Sequence, residues 1–396
     1  MLKFLGFFLH EIAFGFLSVF FPLYVIFIGG SLIDLGIISM SALLSAIIFS
    51  FFWGYLCDKL KRYKWAILLS FSSIAIILYV FTLTKNIALL TLLYVLLSIF
   101  HVAHEAPKNI IISETYEHEE WIQAFAFYEG FTEIGWFIGL LLGFSTPIYN
   151  FDAKTMMLIC SLLHLTAFIS SMLFVDDPPI LIERSLVKIE KTVNFAYKGI
   201  TILSKTLYGI QTNRRIRREN VHGFCIGLTL FMLATSILFT PLPVFFSRNL
   251  SMSMDRVFMV FALNSLGGVT GYFTVWIASQ WLIEKSKMGE IAVLRGVLTL
   301  SLILAVKSPS NNIAIVTLIL ILMGFMYAVF YVYTLSTSME LVSEGEAGLF
   351  NALVGVGNAI GSFIGPYIAQ TLGFMQVLLV VGLVFLISSI VLKLSI

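Results

Sequence analysis

Runs of about 20 apolar residues, separated by short polar breaks, recur along the whole chain. A run of that length, coiled as an α-helix, matches the roughly 30 Å hydrocarbon core of a bilayer. Backbone N–H and C=O groups find no water there, so each run must satisfy its own hydrogen bonds as a helix. Twelve spans are expected, over residues 4–28, 35–57, 65–84, 87–112, 121–146, 155–175, 222–247, 256–280, 290–306, 312–338, 347–370 and 374–392. The fold class is therefore an all-α integral membrane protein. Only 12% of the residues are charged, too few to cover the surface of a water-soluble fold of 396 residues. Long continuous runs also exclude a transmembrane β-barrel, whose strands alternate apolar and polar. A net charge of +2 selects no partner, and no nucleic-acid partner is expected.

The placement of Lys and Arg sets the expected orientation. Lys59, Lys61, Arg62 and Lys64 follow the second span, and Arg214, Arg215, Arg217 and Arg218 precede the seventh. Arg295 is grouped with them at the start of the ninth span. The positive-inside bias then puts both termini in the cytoplasm; the plasma membrane is the expected location. The N-terminus shows no cleavage site and reads as a retained first helix. Cys57, Cys160 and Cys225 suggest neither a disulfide framework nor a Cys-rich metal site. Residues 1–182 read as one six-helix bundle and 221–396 as a second. Between them, 183–220 reads as an amphipathic basic helix: Leu186, Val193, Ile200 and Leu207 recur every seven residues, and so do Lys191, Lys198 and Lys205. Such a helix is suited to the anionic cytoplasmic leaflet.

The two halves carry the marks of a duplication. Pro22 and Asp34 reappear as Pro243 and Asp255 at an offset of 221, and Gly135, Gly139 and Gly143 as Gly357, Gly361 and Gly365 at an offset of 222. Glycines four apart share one helix face and let another backbone approach closely. Two features sharing almost one offset point to two pseudo-symmetric halves, the layout of secondary transporters with a substrate site between the halves.

After the second span the chain reads Gly54-Tyr-Leu-Cys-Asp58-Lys59-Leu-Lys-Arg62, with Leu56 also in register. This resembles the signature loop of the major facilitator superfamily, with Lys61 in place of the usual second glycine. Gly345-Glu-Ala-Gly-Leu-Phe350 and Gly361-Ser-Phe-Ile-Gly365-Pro366 resemble that family's loop 10–11 and helix 11. The resemblance implies a rocking, alternating-access mechanism, with spans 1, 4, 7 and 10 lining the cavity. It also implies a gating role for Gly54, Asp58, Lys59 and Arg62, with Asp58 latching the start of span eleven. A carboxylate there would be favoured by the positive end of the helix dipole. The alternative is that the basic residues only set topology. The fifth span, Gly139-Leu-Leu-Leu-Gly143-Phe, lacks the proline typical of the family's drug–proton antiporters.

Ionisable groups at membrane depth are expensive and are functional candidates. They are expected in the first half only: His10 and Glu11 in span one, His101, His104, Glu105 and Lys108 in span four, Glu129 and Glu133 in span five. On an α-helix, 101, 104, 105 and 108 fall within about 100° of one face. Equal distances from the loop near Glu117 would pair Glu105 with Glu129 and His101 with Glu133. Glu105 and Lys108 could instead form an internal salt bridge, and His10 could lie near enough to the interface to be solvated. Glu133, mid-membrane with no cation nearby in sequence, is the leading candidate for the coupling proton, and histidine suits such a relay. His with carboxylate also suits a transition metal. No compact ligand spacing is present, however, and Lys108 would repel a cation, so no metal or other cofactor is expected. In the second half Tyr327, Tyr331, Thr334 and Ser338 share a face of span ten, and Asn264, Asn351 and Asn358 add polarity. Tyr327, Tyr331 and Thr334 are candidate cavity residues; ordinary helix packing explains them equally well.

No nucleophile motif, zinc-protease spacing or phosphate-binding glycine loop is present. The chain thus reads as a monomeric secondary transporter, and not as an enzyme. Its partners are expected to be a small organic solute, protons and the bilayer. The alternatives are a divalent metal or cation transporter and a non-transporting receptor on the same fold.

Overall fold

The computed structural model describes residues 2–60, 62–105, 107–108, 111–112, 121–146, 152–177, 221–282, 287–307, 312–341 and 347–395, with side chains omitted at a few of these, Asp58 among them. The expected basic helix at 183–220 lies outside the described residues, as do the 345–346 stretch and the side chain of Asp58.

In chain order the helices are α1 (Leu5–Phe27), α2 (Leu32–Leu60), α3 (Tyr63–Phe81), α4 (Ile87–His101), α5 (Trp121–Ser145), α6 (Ala153–Phe174), α7 (Val221–Phe239), α8 (Leu242–Arg248), α9 (Met254–Leu282), α10 (Lys287–Lys307), α11 (Asn312–Leu341), α12 (Ala347–Thr371) and α13 (Phe374–Ser395). All are apolar through most of their length. With α7 and α8 taken as one broken span, the described residues form twelve helical segments at the positions read from the sequence; eleven are long and apolar enough to cross a membrane, and the twelfth is the more polar α10. The break falls at Pro241, which has no N–H to donate and disfavours helix at the residue before it. Phe245 then restarts the ladder by donating to the Pro241 carbonyl at 3.0 Å. The equivalent position in the first half is Phe20, and α1 runs through unbroken.

The helices form two pseudo-symmetric six-helix bundles. In the first, α1 packs on α5 and α6, α3 on α4 and α6, and α2 on α4. In the second, α7 packs on α12 and α13, α10 on α11 and α13, and α9 on α11. The pairs correspond one for one. The glycine repeats explain why the closest of them coincide. A Cβ on Gly139 would collide with the Ile12 carbonyl of α1, and one on Gly361 would sit 2.5 Å from the Leu233 carbonyl of α7. Only a residue without Cβ allows the backbones that close. The bundles meet along two equivalent seams, α5 against α9 and α2 against α12. Ile33 N donates to Gln370 Oε1 at 2.9 Å across the second seam.

Helix ends are satisfied locally. The Asp34 carboxylate accepts from Ser31 N at 2.8 Å before α2, and Asp152 caps α6 by accepting from Thr155 N at 2.9 Å. At α3 the orphan N–H of Lys64 donates to Asp177 Oδ1 at 2.7 Å, a carboxylate arriving from the end of α6.

Candidate functional site

Span four reaches residue 112 as expected but is not one unbroken α-helix: after His101 it tightens into a 3₁₀ turn, Val102–His104, and the described residues beyond the turn, 105, 107–108 and 111–112, are again helical. Pro107 lies just beyond, where its ring restricts the preceding backbone. In a 3₁₀ turn residues i and i+3 eclipse. His101 and His104 therefore lie on one side of the chain, their rings meeting edge-on with centroids 5.1 Å apart, and both face His10 of α1.

They meet His10. His10 Nε2 lies 3.1 Å from His101 Nδ1, and His10 Nδ1 lies 3.0 Å from His164 Nε2. His164, on α6, completes the cluster. Sequence reading passed over it because a single histidine in an apolar helix has no local partner to mark it. Its Nδ1 donates to the Cys160 carbonyl at 2.8 Å. A carbonyl can only accept, so the neutral tautomers follow in sequence: His164 Nε2 accepts from His10 Nδ1–H, and His10 Nε2 accepts from His101 Nδ1–H. His10 and His164 have no exposed surface, so His10 is a core residue and not a solvated one. Nearby, His104 Nδ1 bonds Ser70 Oγ at 3.0 Å, and its Nε2 is 3.4 Å from Glu105 Oε1. Glu105 Oε2 receives Lys108 Nζ at 2.6 Å, the internal salt bridge that the three-residue spacing allowed. The Lys108 ammonium also lies 5.4 Å from the centre of the Tyr128 ring.

The expected His101–Glu133 pair does not form. The helical register assumed for span four is lost at the 3₁₀ turn, and Glu133 faces the other bundle. Its Oε1 accepts from Ser265 Oγ of α9 at 2.6 Å, across the first seam. Gly268 lies against the same carboxyl: a Cβ there would be 3.3 Å from it. Glu129, one turn earlier, is within electrostatic range of both Lys108 and Glu105. From the second bundle Tyr272, Tyr327 and Tyr331 are within range of Glu129, and Tyr272 and Tyr327 also of Glu133. Tyr327 and Tyr331 stack at 6.0 Å. Thr334 is fully buried and its hydroxyl turns back to the Phe330 and Tyr331 carbonyls at 3.0 and 2.9 Å, so it presents no free donor to a cavity. Asn264 is committed to the Leu320 carbonyl at 2.6 Å, holding α9 to α11. The side chains of Asn351 and Ser338 lie outside the described residues.

Arg295 is not a surface charge at the cytoplasmic end of span nine as expected, and the interior of the second half is not free of charged residues. Arg295 is fully buried in α10, and its Nε and Nη1 have no hydrogen-bond partner among the described residues. The rings of Phe231, Phe385 and Tyr327 surround the guanidinium at 5.0, 5.1 and 5.4 Å. Their negative π faces replace part of the lost hydration. The signal was available: an Arg with a helix turn of apolar residues on each side belongs inside the span.

Of the signature-loop residues, Gly54 has open space around it, Lys59 is exposed with Nζ 5.9 Å from the Tyr55 ring centre, and Arg62 is exposed at the N-cap of α3. An apolar cavity of about 130 Å³ lies between α1, α5 and α6, lined by Phe16, Met156, Cys160 and Leu163 among others; it contains none of the charged groups.

The family model described as Major Facilitator Superfamily matches residues 4–366. No curated protein sequence matches the chain. Among solved structures it resembles a nucleoside transporter, NupG, with TM-score 0.68 and 14% identity, over 99% of this chain and 97% of that one. The human organic anion transporter MFSD10 gives TM-score 0.67 at 14% identity, over 99% of this chain and 98% of that one. A POT family transporter in complex with 5-aminolevulinic acid gives TM-score 0.73 at 13% identity, over 99% and 95%.

Proposed function

The chain belongs to the major facilitator superfamily, and on that premise we propose that it is a proton-coupled secondary transporter of a small organic solute, working by alternating access. One observation carries the reading: the Glu133 carboxyl, mid-span on α5, is bonded to Ser265 across a seam between the two bundles. Rocking of the bundles changes that seam. A carboxyl held there is exposed to different surroundings in the two end states, and a charged carboxylate at that depth is strongly disfavoured without a partner. The protonated form keeps the seam closed as a neutral group; the ionised form demands water or a cation. Coupling follows if the proton is taken on one side of the membrane and released on the other. Glu129, Tyr327 and Tyr331 are assigned to the solute cavity between the bundles. Glu11, His101, His104, Glu105 and Lys108 form the polar floor behind it.

Residues 1–182 and 221–396 are the two moving units, joined by a surface helix over 183–220, with both termini cytoplasmic in a plasma membrane. Gly54, Asp58, Lys59 and Arg62 gate the cytoplasmic side.

Glu133→Gln mimics the protonated form. In proteoliposomes, counterflow of a solute found by thermal-shift screening should persist, and accumulation driven by a pH gradient should be lost. Accumulation with unchanged pH dependence would move the proton site to another carboxyl. A wild type that binds solute without any flux would make the protein a receptor.

A further inference from the structure

The histidines behind the seam do more than fill space. One ring nitrogen from each of His10, His101 and His104 lies within 4.8 Å of the others. We propose that these three histidines form a binding site for a divalent first-row transition-metal ion of the cobalt-to-zinc group.

The geometry is close to what such an ion requires. Metal–imidazole bonds of about 2.0–2.1 Å at tetrahedral angles place neighbouring ligand nitrogens about 3.3 Å apart. His10 Nε2 and His101 Nδ1 are 3.1 Å apart. The ion takes the position of the proton that His101 donates to His10. His101 Nδ1 becomes a ligand by moving that proton to Nε2, so neutral imidazole is kept and no proton is released. His10 already presents the Nε2 lone pair, because its Nδ1–H is given to His164. His104 turns Nδ1 to Ser70 Oγ, leaving Nε2 as its ligand atom. Two of the three ligands thus have outer partners that fix ring orientation, the arrangement metal-binding histidines use. Three imidazoles select the later first-row ions over magnesium or calcium, which prefer oxygen.

A carboxylate stands beside the cluster: Glu105 Oε1 lies 3.4 Å from His104 Nε2 and can approach as the fourth ligand. Lys108 opposes the ion, but its ammonium is already matched by Glu105 Oε2 at 2.6 Å. Access is through the less buried side of the cluster: the Glu105 side chain is 37% exposed, and His101 is only partly buried. The spacing test applied to the sequence finds nothing here, because the ligands come from two helices and a 3₁₀ turn. The site stands apart from the proton reading, so Glu133→Gln should leave metal affinity unchanged.

The test is a cobalt titration of the purified full-length protein in detergent after chelator treatment. One Co²⁺ per chain should bind with visible d–d bands of a four-coordinate nitrogen-rich site, without thiolate charge transfer, and Zn²⁺ should displace it. His101→Ala, at the least buried ligand, should weaken binding at least 100-fold, and His164→Gln about 10- to 100-fold through ligand orientation. Absence of stoichiometric binding to wild-type protein would overturn the site without recourse to variants. So would a thiolate charge-transfer band, or an affinity unchanged in His101→Ala with the thermal unfolding profile of wild type.

Discussion

At the 221-residue offset His10 corresponds to Phe231 and His164 to Phe385, so the same crossing of helices is filled twice with different chemistry. In the first bundle the His10 and His164 rings meet edge-on at 5.0 Å. In the second, the Phe231 and Phe385 rings meet edge-on at 5.2 Å. Phe71 of α3 lies 5.2 Å from His10, while Arg295 of α10 lies 5.0 Å from Phe231. One bundle therefore has polar rings against an aromatic third helix, and the other has aromatic rings around a cation. The glycine contacts of α1 with α5 and of α7 with α12 are retained in both. Backbone approach is what the duplication cannot change without losing the fold. Side chains at the crossing are free to diverge as long as each polar atom finds a partner or an aromatic face.

The sharpest way to break the comparison is through the glycines. Gly139→Leu should yield no folded protein, because the clash is with backbone that cannot move aside. Gly361→Ala, with 2.5 Å to the equivalent carbonyl, should fold with a loss of roughly 1–3 kcal/mol. Thermal unfolding by intrinsic fluorescence in detergent reads both. Wild-type stability of either variant would mean that close backbone approach does not hold that pair of helices together.

Next is the buried cation. Arg295→Met removes donors that have no hydrogen-bond partner among the described residues while keeping bulk among the rings, and should stabilise the protein by roughly 1–4 kcal/mol. A marked loss of stability would show that the aromatic box more than repays desolvation. If flux falls while stability rises, Arg295 is retained for function.

A smaller effect is expected from making the first bundle resemble the second. His164→Phe leaves His10 Nδ1 without its acceptor and should cost about 1–3 kcal/mol. The reciprocal Phe385→His brings an imidazole beside Arg295 and should also destabilise. A neutral result for His164→Phe would deny the histidine chain any structural weight.

Smallest of all is Gly54→Ala. Gly54 is helical and nothing lies within 4 Å of the added Cβ, so stability should rise by about 0.5–1 kcal/mol. Reduced flux at unchanged or higher stability would place Gly54 in the gate, since packing gives no other reason for a glycine there.

The sequence by itself determined the bilayer as solvent, the twelve spans, the doubling and the backbone contacts between them. Each depends on periodicity or on a residue type whose meaning is local: twenty apolar residues can satisfy their hydrogen bonds in lipid only as a helix, and glycines four apart leave one face open to another helix. The Glu105–Lys108 pair was legible for the same reason, lying three residues apart. What only the tertiary structure decided is how groups far apart in the chain meet. His10, His101 and His164 come from α1, the end of α4 and α6, and His104 joins them through a 3₁₀ turn that helical periodicity cannot foresee. Glu133 turned to Ser265 because α5 packs on α9 of the other bundle, and Arg295 went inside because α10 rotates its charged face under Phe231 and Phe385. Helix rotation about its own axis is set by packing against neighbours, and in a chain this uniformly apolar the sequence leaves it almost unmarked.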